Sequence, residues 1–107
     1  MTVKPKFEVS RLAELEHKIP ANPDAPYVIA FSEKAALTVL YKPGAADRQT
    51  PHEQDEVYVI ARGAATLEVL GDVSPLQKGD AAFVAARCPH RFIDISPDFL
   101  CWAIFVN

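Results

Sequence analysis

Glycine is scarce in this chain, with four residues in 107 against nine prolines. That balance predicts many short elements joined by stiff connections rather than long flexible loops. Cysteine is also sparse. Cys88 and Cys101 are the only two, and no CxxC spacing exists for a zinc ribbon or a redox pair. Positive charge is not in excess: the net charge is −3 and the pI about 5.5, which argues against nucleic-acid binding. No apolar run approaches the roughly 18 residues of a membrane span, so no membrane association is expected. The start, Met1-Thr2-Val3-Lys4-Pro5-Lys6, is charged where a signal peptide would be apolar. A cytoplasmic protein with reduced thiols is the expectation. Internal repeats, low-complexity tracts and linkers are missing too, so residues 1–107 read as a single domain.

What the chain has is apolar residues, half of the total, in short runs. Phe7 and Val9 suit a short strand, and Ser10 suits the N-cap of a short helix over Arg11–His17. Pro20, Pro23 and Pro26 then enforce a loop. Strand-like runs follow at 27–32, 37–42, the apolar end of 51–60 (closed by Arg62-Gly63), 64–70, 81–86, 90–95 and 99–106, with a short segment at 73–76. Turn signals at Glu33-Lys34, Pro43-Gly44, Gly71-Asp72, Lys78-Gly79-Asp80 and Ser96-Pro97-Asp98 separate most of them. Short strands at this spacing predict an all-β sandwich or barrel. The run at 81–86 reads as buried. Exposed strand edges on so small a barrel predict a homodimer.

Chemistry concentrates at Pro51–Ile60, a polar start leading into an apolar strand. His52 and Glu56 share strand parity, which in a regular strand places both on one face. His90 opens a later strand. Two imidazoles and one carboxylate match the ligand set of a mononuclear site for iron(II), manganese, nickel or zinc. The remaining polar candidates each carry a structural alternative. Arg87 and Arg48 are anion contacts or solvated side chains; Asp94 orients His90 or ends a strand; Asp55 faces solvent. Cys88 is a reactive or metal-linked thiol or, the preferred reading, an inert and partly buried one, and His17 is solvated. Tyr58, Phe83, Phe92, Phe99, Trp102 and Phe105 are core, some of them lining a pocket.

Two stretches resemble the paired motifs of the cupin superfamily. Gly44-x5-Thr50-x-His52-x3-Glu56-x6-Gly63 is similar to the first, G-x5-H-x-H-x3-E-x6-G. Gly79-x5-Ala85-x-Arg87-x2-His90-x3-Asp94 is similar to the second, G-x5-P-x-G-x2-H-x3-N. The resemblance covers about residues 37–105. It implies a double-stranded β-helix (jelly-roll) barrel with a short N-terminal helix. It also implies that His52, Glu56 and His90 are three of the usual four metal ligands, with Thr50 where the remaining histidine would stand. A neutral hydroxyl is a weak donor to a divalent ion. The neighbouring Gln49 amide oxygen, or water, is the candidate replacement. Asp47, Gln49, His52, Asp55 and Glu56 also fit an Asp-x-Gln-x-Pro-His-x-x-Asp-Glu pattern associated with one subgroup of small cupins.

The function this implies is a divalent-metal enzyme of dioxygenase or isomerase type acting on a small organic substrate. A non-catalytic small-molecule binding or sensor barrel and a metal-free vestigial barrel stay open as alternatives. Fold alone does not choose among them.

Overall fold

The structure, a computed structural model, describes residues 6–47 and 49–107. Among these, eight strands form two antiparallel sheets. They are β1 (Tyr27–Ser32), β2 (Ala36–Tyr41), β3 (Asp55–Arg62), β4 (Ala64–Val69), β5 (Asp72–Gln77), β6 (Ala81–Val84), β7 (His90–Ile93) and β8 (Leu100–Val106). The larger sheet runs β1-β2-β8-β3-β6 and the smaller β5-β4-β7. This is the double-sheet jelly-roll barrel that the motif resemblance implies, and it fits the all-β reading of the strand spacing.

β3 shows how sequence alternation becomes a barrel wall. Glu56, Tyr58 and Ile60 are buried on the inward face, while Asp55 and Arg62 at its ends are exposed. β8 lies between β2 and β3, pairing Leu40 with Trp102 on one side and Val59 with Trp102 on the other. A strand flanked on both edges carries apolar residues at both parities, as in its run Leu100-Cys101-Trp102-Ala103-Ile104. The core joins the two sheets through Val39, Tyr58, Ile60, Leu67, Val84, Phe92, Phe99 and Cys101. Pro75 is tolerated within β5 because that strand is the edge of its sheet.

One residue, Gly63, carries the chain from the larger sheet into the smaller. Its φ is +68°, and a Cβ there would lie 2.6 Å from Asp98 Oδ1 and 2.9 Å from the Phe99 Cα, and closer still to Ser96 Oγ. Left-handed backbone and close approach of the Phe99 backbone, in the turn before β8, both demand glycine at this crossing.

Several expectations are corrected. Residues 6–10 form no strand, and Phe7 is 86% exposed. The helix is confined to α1 (Leu12–Leu15), continued by a 3-10 turn at Glu16–Lys18. Its N-cap is Arg11, without a side-chain bond. Ser10 Oγ instead donates to the Ala30 carbonyl and ties the N-terminal segment to β1. β6 is not buried throughout: Phe83 points outward and is 64% exposed, because only Ala82 and Val84 share the inward parity. No helix among the described residues is long and apolar enough to cross a membrane.

Candidate metal centre

His52, Glu56 and His90 come together inside the barrel, with candidate ligand atoms all within 4.8 Å of one another. Each arrives by a different route. Glu56 is the second residue of β3, fixed by pairing with Val84 on one side and Phe105 on the other, and only 2% of it is exposed. His90 opens β7 in the opposite sheet, paired with Val69, and its imidazole is also 2% exposed. His52 is not in a strand. It sits in the loop before β3, so shared strand parity is not what places it beside Glu56. Its carbonyl accepts the Arg87 N–H at 2.6 Å, and its ring packs edge-on against Phe105 at 4.7 Å.

The hydrogen bonds define which atoms face the centre. His90 Nδ1 donates to the Cys88 carbonyl at 2.8 Å, so in the neutral ring the Nε2 lone pair points inward. Nε2 lies 3.1 Å from Glu56 Oε1 and 2.9 Å from the Tyr58 hydroxyl. Gln49 lies in the loop preceding His52. Its Nε2 donates to Asp47 Oδ2 at 2.6 Å, which leaves Oε1 facing inward, 2.9 Å from the Tyr58 hydroxyl and 3.4 Å from His52 Nε2. His52 Nε2 is 3.9 Å from Glu56 Oε1.

Protonation follows from these neighbours. Burial opposes a charged His90, but hydrogen bonds to the Glu56 carboxylate and the Cys88 carbonyl outweigh it and raise the imidazole above its ordinary value. Burial and the Glu56 charge push the Tyr58 phenol far up, so it remains a hydrogen-bond donor. Burial likewise raises the Cys101 thiol, which is therefore inert, and Cys88 is also a free thiol.

The donor set fits a cation. Glu56 Oε1, Gln49 Oε1 and His90 Nε2 converge around the Tyr58 hydroxyl, and each has a lone pair for a cation once the His90 ring is neutral. His52 Nε2 is the fourth atom at the centre. Nitrogen and oxygen ligands bind divalent transition metals at about 2.0–2.2 Å. Such ligands stand about 3–4 Å apart around one ion, close to the separations found here.

Beside the ligands lies a cavity of about 540 Å³. Gln49, His52 and Glu56 form its polar end, and Ile29, Val39 and Phe105 belong to its apolar walls. That size is within the range of small-molecule sites. Tyr27 and Ile29 on edge strand β1 also line it, and both remain exposed, so the cavity opens along that side.

Other candidates fall away from the centre. Arg87 is 72% exposed and faces Glu53 at 3.7 Å, on the surface. Asp55 is exposed and accepts the Ala86 N–H at 2.9 Å. Asp94 is exposed, and it is the Cys88 carbonyl that orients His90. Thr50 lines the cavity. Arg48 lies outside the described residues. One participant was not singled out from sequence as a site residue, and another was named only through the subgroup pattern. Tyr58, grouped there with the core aromatics, places its hydroxyl among the candidate ligand atoms. Asp47 holds Gln49. The inward parity of Tyr58 with Glu56 is the signal that could have found the first.

A family model described as Cupin domain matches residues 37–106. An uncharacterized protein of Streptomyces coelicolor is 35% identical over 97 residues, covering 89% of this chain and 91% of that one. Among solved structures, TT1209 from Thermus thermophilus superposes with a TM-score of 0.76 at 25% identity, over 94% of this chain and 98% of its own. KdgF from Halomonas sp. superposes at 0.70 with 23% identity, over 81% and 82% of the two chains, a likeness of fold alone. The chain belongs to the cupin family.

Family membership gives the motif departures a physical meaning. Gly44, Gly63, Gly79, Arg87 and Asp94 all have positive φ, and they occupy the motif positions at which the family pattern has glycine or asparagine. Asp94 replaces asparagine at φ 50°, a region that both residues tolerate. Arg87 keeps φ 61° without a glycine, at a cost of about 1–2 kcal/mol. That turn directs the Arg87 N–H onto the His52 carbonyl.

Proposed function

We propose that this barrel binds one divalent first-row metal ion through His52, Glu56 and His90, with Gln49 Oε1 as the fourth protein ligand. It would serve an enzyme of dioxygenase or isomerase type acting on a small organic molecule. The convergence of two imidazole nitrogens, a buried carboxylate and an amide oxygen on one point inside the barrel carries the reading. A bound ion would supply Lewis acidity toward an oxygen of the substrate. The chain's own contributions are separate. The apolar walls exclude water from the substrate body, Gln49 and His52 border the polar end, and Tyr58 holds a proton at its hydroxyl next to His90 Nε2.

Among the described residues, Asp24 and Glu56 are the carboxylates lining the cavity, and no lysine or arginine does. This favours a neutral substrate that presents oxygen to the metal and an apolar body to Ile29, Val39 and Phe105. A cell-interior setting suits the free thiols of Cys88 and Cys101.

Metal analysis of freshly purified protein is the first test. Near one equivalent of a single transition metal is expected, absent from His52→Ala. Oxygen uptake with diketones, catechols and thiols then separates catalysis from a sensor role, the second reading. A native protein free of metal, binding its ligands equally well after His52→Ala, would sink the metal reading.

We also propose a homodimer. The support is the open edge of β1 together with exposed Phe7, Val9, Tyr27 and Ile29. Sedimentation equilibrium is expected to give about twice the 11.8 kDa chain mass; a monomer at micromolar concentration would refute it.

A further inference from the structure

We infer that Asp47 is a positioning residue, whose carboxylate determines which end of the Gln49 amide faces the metal. The inference rests on the metal-site reading above and concerns how its unusual fourth ligand is presented.

Among the described residues, four hydrogen bonds hold the Asp47 carboxylate. The Tyr41 hydroxyl donates to Oδ1. The backbone N–H of Gln49 donates to Oδ1 at 3.2 Å. Gln49 Nε2 donates to Oδ2 at 2.6 Å, and the backbone N–H of Phe92 donates to Oδ2 at 2.8 Å. Phe92 lies in β7, two residues beyond His90, so the carboxylate bridges the Gln49 loop to the strand that carries a metal ligand.

An ionised carboxylate only accepts hydrogen bonds. The end of the Gln49 amide that faces Oδ2 must therefore be the NH2 group, and Oε1 must point the other way, toward His52 and Tyr58. A flipped amide would set oxygen against oxygen at Oδ2 and present hydrogens to the metal. An amide is a ligand only through its oxygen. Without a fixed partner, either end of a glutamine can turn inward. Asp47 removes that ambiguity through a charge-assisted bond. Its backbone contact to Phe92 keeps the carboxylate itself from swinging with the loop.

The test uses Co²⁺ alone as the probe, on metal-stripped full-length protein. Affinity and the visible d–d spectrum are read for wild type, Gln49→Ala, Asp47→Asn and the double variant Asp47→Asn/Gln49→Glu. The thermal midpoint of each metal-free protein is followed in parallel. Asp47→Asn keeps the size but turns one accepting oxygen into an NH2 group: at the Oδ2 position it favours the flipped Gln49 amide and opposes the Phe92 N–H, and at the Oδ1 position it opposes the Gln49 N–H. It should weaken Co²⁺ binding about 10–100-fold, as loss of partners that orient ligands does. It should also change the spectrum. In the double variant the new amide at position 47 donates to the new carboxylate at position 49. That carboxylate presents oxygen inward whichever way it turns, so affinity should recover.

Each failure has its own meaning. Wild type that binds no Co²⁺, or Gln49→Ala with unchanged affinity and spectrum, would overturn the metal-site reading or Gln49's place in it, and this inference with it. Gln49→Ala weakened but Asp47→Asn unchanged would overturn the Asp47 role alone. Asp47→Asn weakened without recovery in the double variant would make Asp47 a structural brace and overturn the positioning role. An Asp47→Asn protein whose metal-free midpoint collapses, and which the double variant does not restore, would do the same.

Discussion

His90→Ala is expected to lose both the metal and part of the fold. The imidazole is the candidate ligand from the smaller sheet, and no other histidine among the described residues reaches the centre from that side. Affinity for Co²⁺ or Mn²⁺ should fall by more than about 100-fold, beyond the range seen for loss of an orienting partner. The metal-free protein should also be destabilised. Glu56 and the His90 imidazole are each 2% exposed and 3.1 Å apart, and removing one member of a buried pair leaves the other without its partner. Such truncations cost about 3–5 kcal/mol. Urea unfolding of chelator-treated wild type and variant measures this. A variant as stable as wild type, with metal still bound, would contradict both halves.

The pH dependence has a defined sign. The folded His90 pKa is raised above its ordinary 6.5. The unfolded chain therefore holds fewer protons at this residue between the two values, and stability falls with rising pH there. His90's contribution to the metal-free protein is full below about 6.5 and is lost as pH climbs through the raised value. Metal binding replaces that proton, so the loaded protein should not show the decline. The slope should vanish in His90→Ala, as thermal midpoints across the range would report.

Phe92→Ala is the second large effect. Phe92 is 1% exposed and packs against Tyr58 at 4.8 Å and Phe99 at 4.9 Å between ring centroids. It links the two sheets directly behind the site. Truncation removes its apolar contacts and leaves a cavity that strands on both sides cannot readily close. A loss of about 3–5 kcal/mol in chemical denaturation is expected. Tyr58 loses the ring that supports it, so metal affinity should fall too, although no ligand is altered. Phe92→Leu, which refills much of the volume, should recover most of the stability. If Phe92→Ala cost less than about 1 kcal/mol, the ring would not be part of a packed core.

The strands were legible because their signals are local. Alternation along Glu56, Tyr58 and Ile60, turn residues at Gly71-Asp72 and Lys78-Gly79-Asp80, and apolar runs such as Leu100–Val106 each act within a few residues. Where local signals conflicted with tertiary packing, sequence reading failed. Ser10 has the chemistry of a helix cap, but the Ala30 carbonyl of a neighbouring strand takes its hydroxyl. Phe83 looks like core, but β6 presents that parity to the outside. Phe7 and Val9 have strand character, but residues 6–10 form no ladder with the sheet.

The sequence by itself determined the barrel class, the motif spacings and the candidate ligands His52, Glu56, His90 and Gln49. Those depend on residue type and on intervals along the chain. Only the tertiary structure decided that Glu56 and His90 face each other across two sheets, since strand register is a property of pairing. It also decided that the Tyr58 hydroxyl stands among the candidate ligands and that Asp47 hydrogen-bonds the Gln49 amide nitrogen. A hydrogen bond needs a donor and an acceptor about 3 Å apart, and that distance is set by strands far apart in the chain.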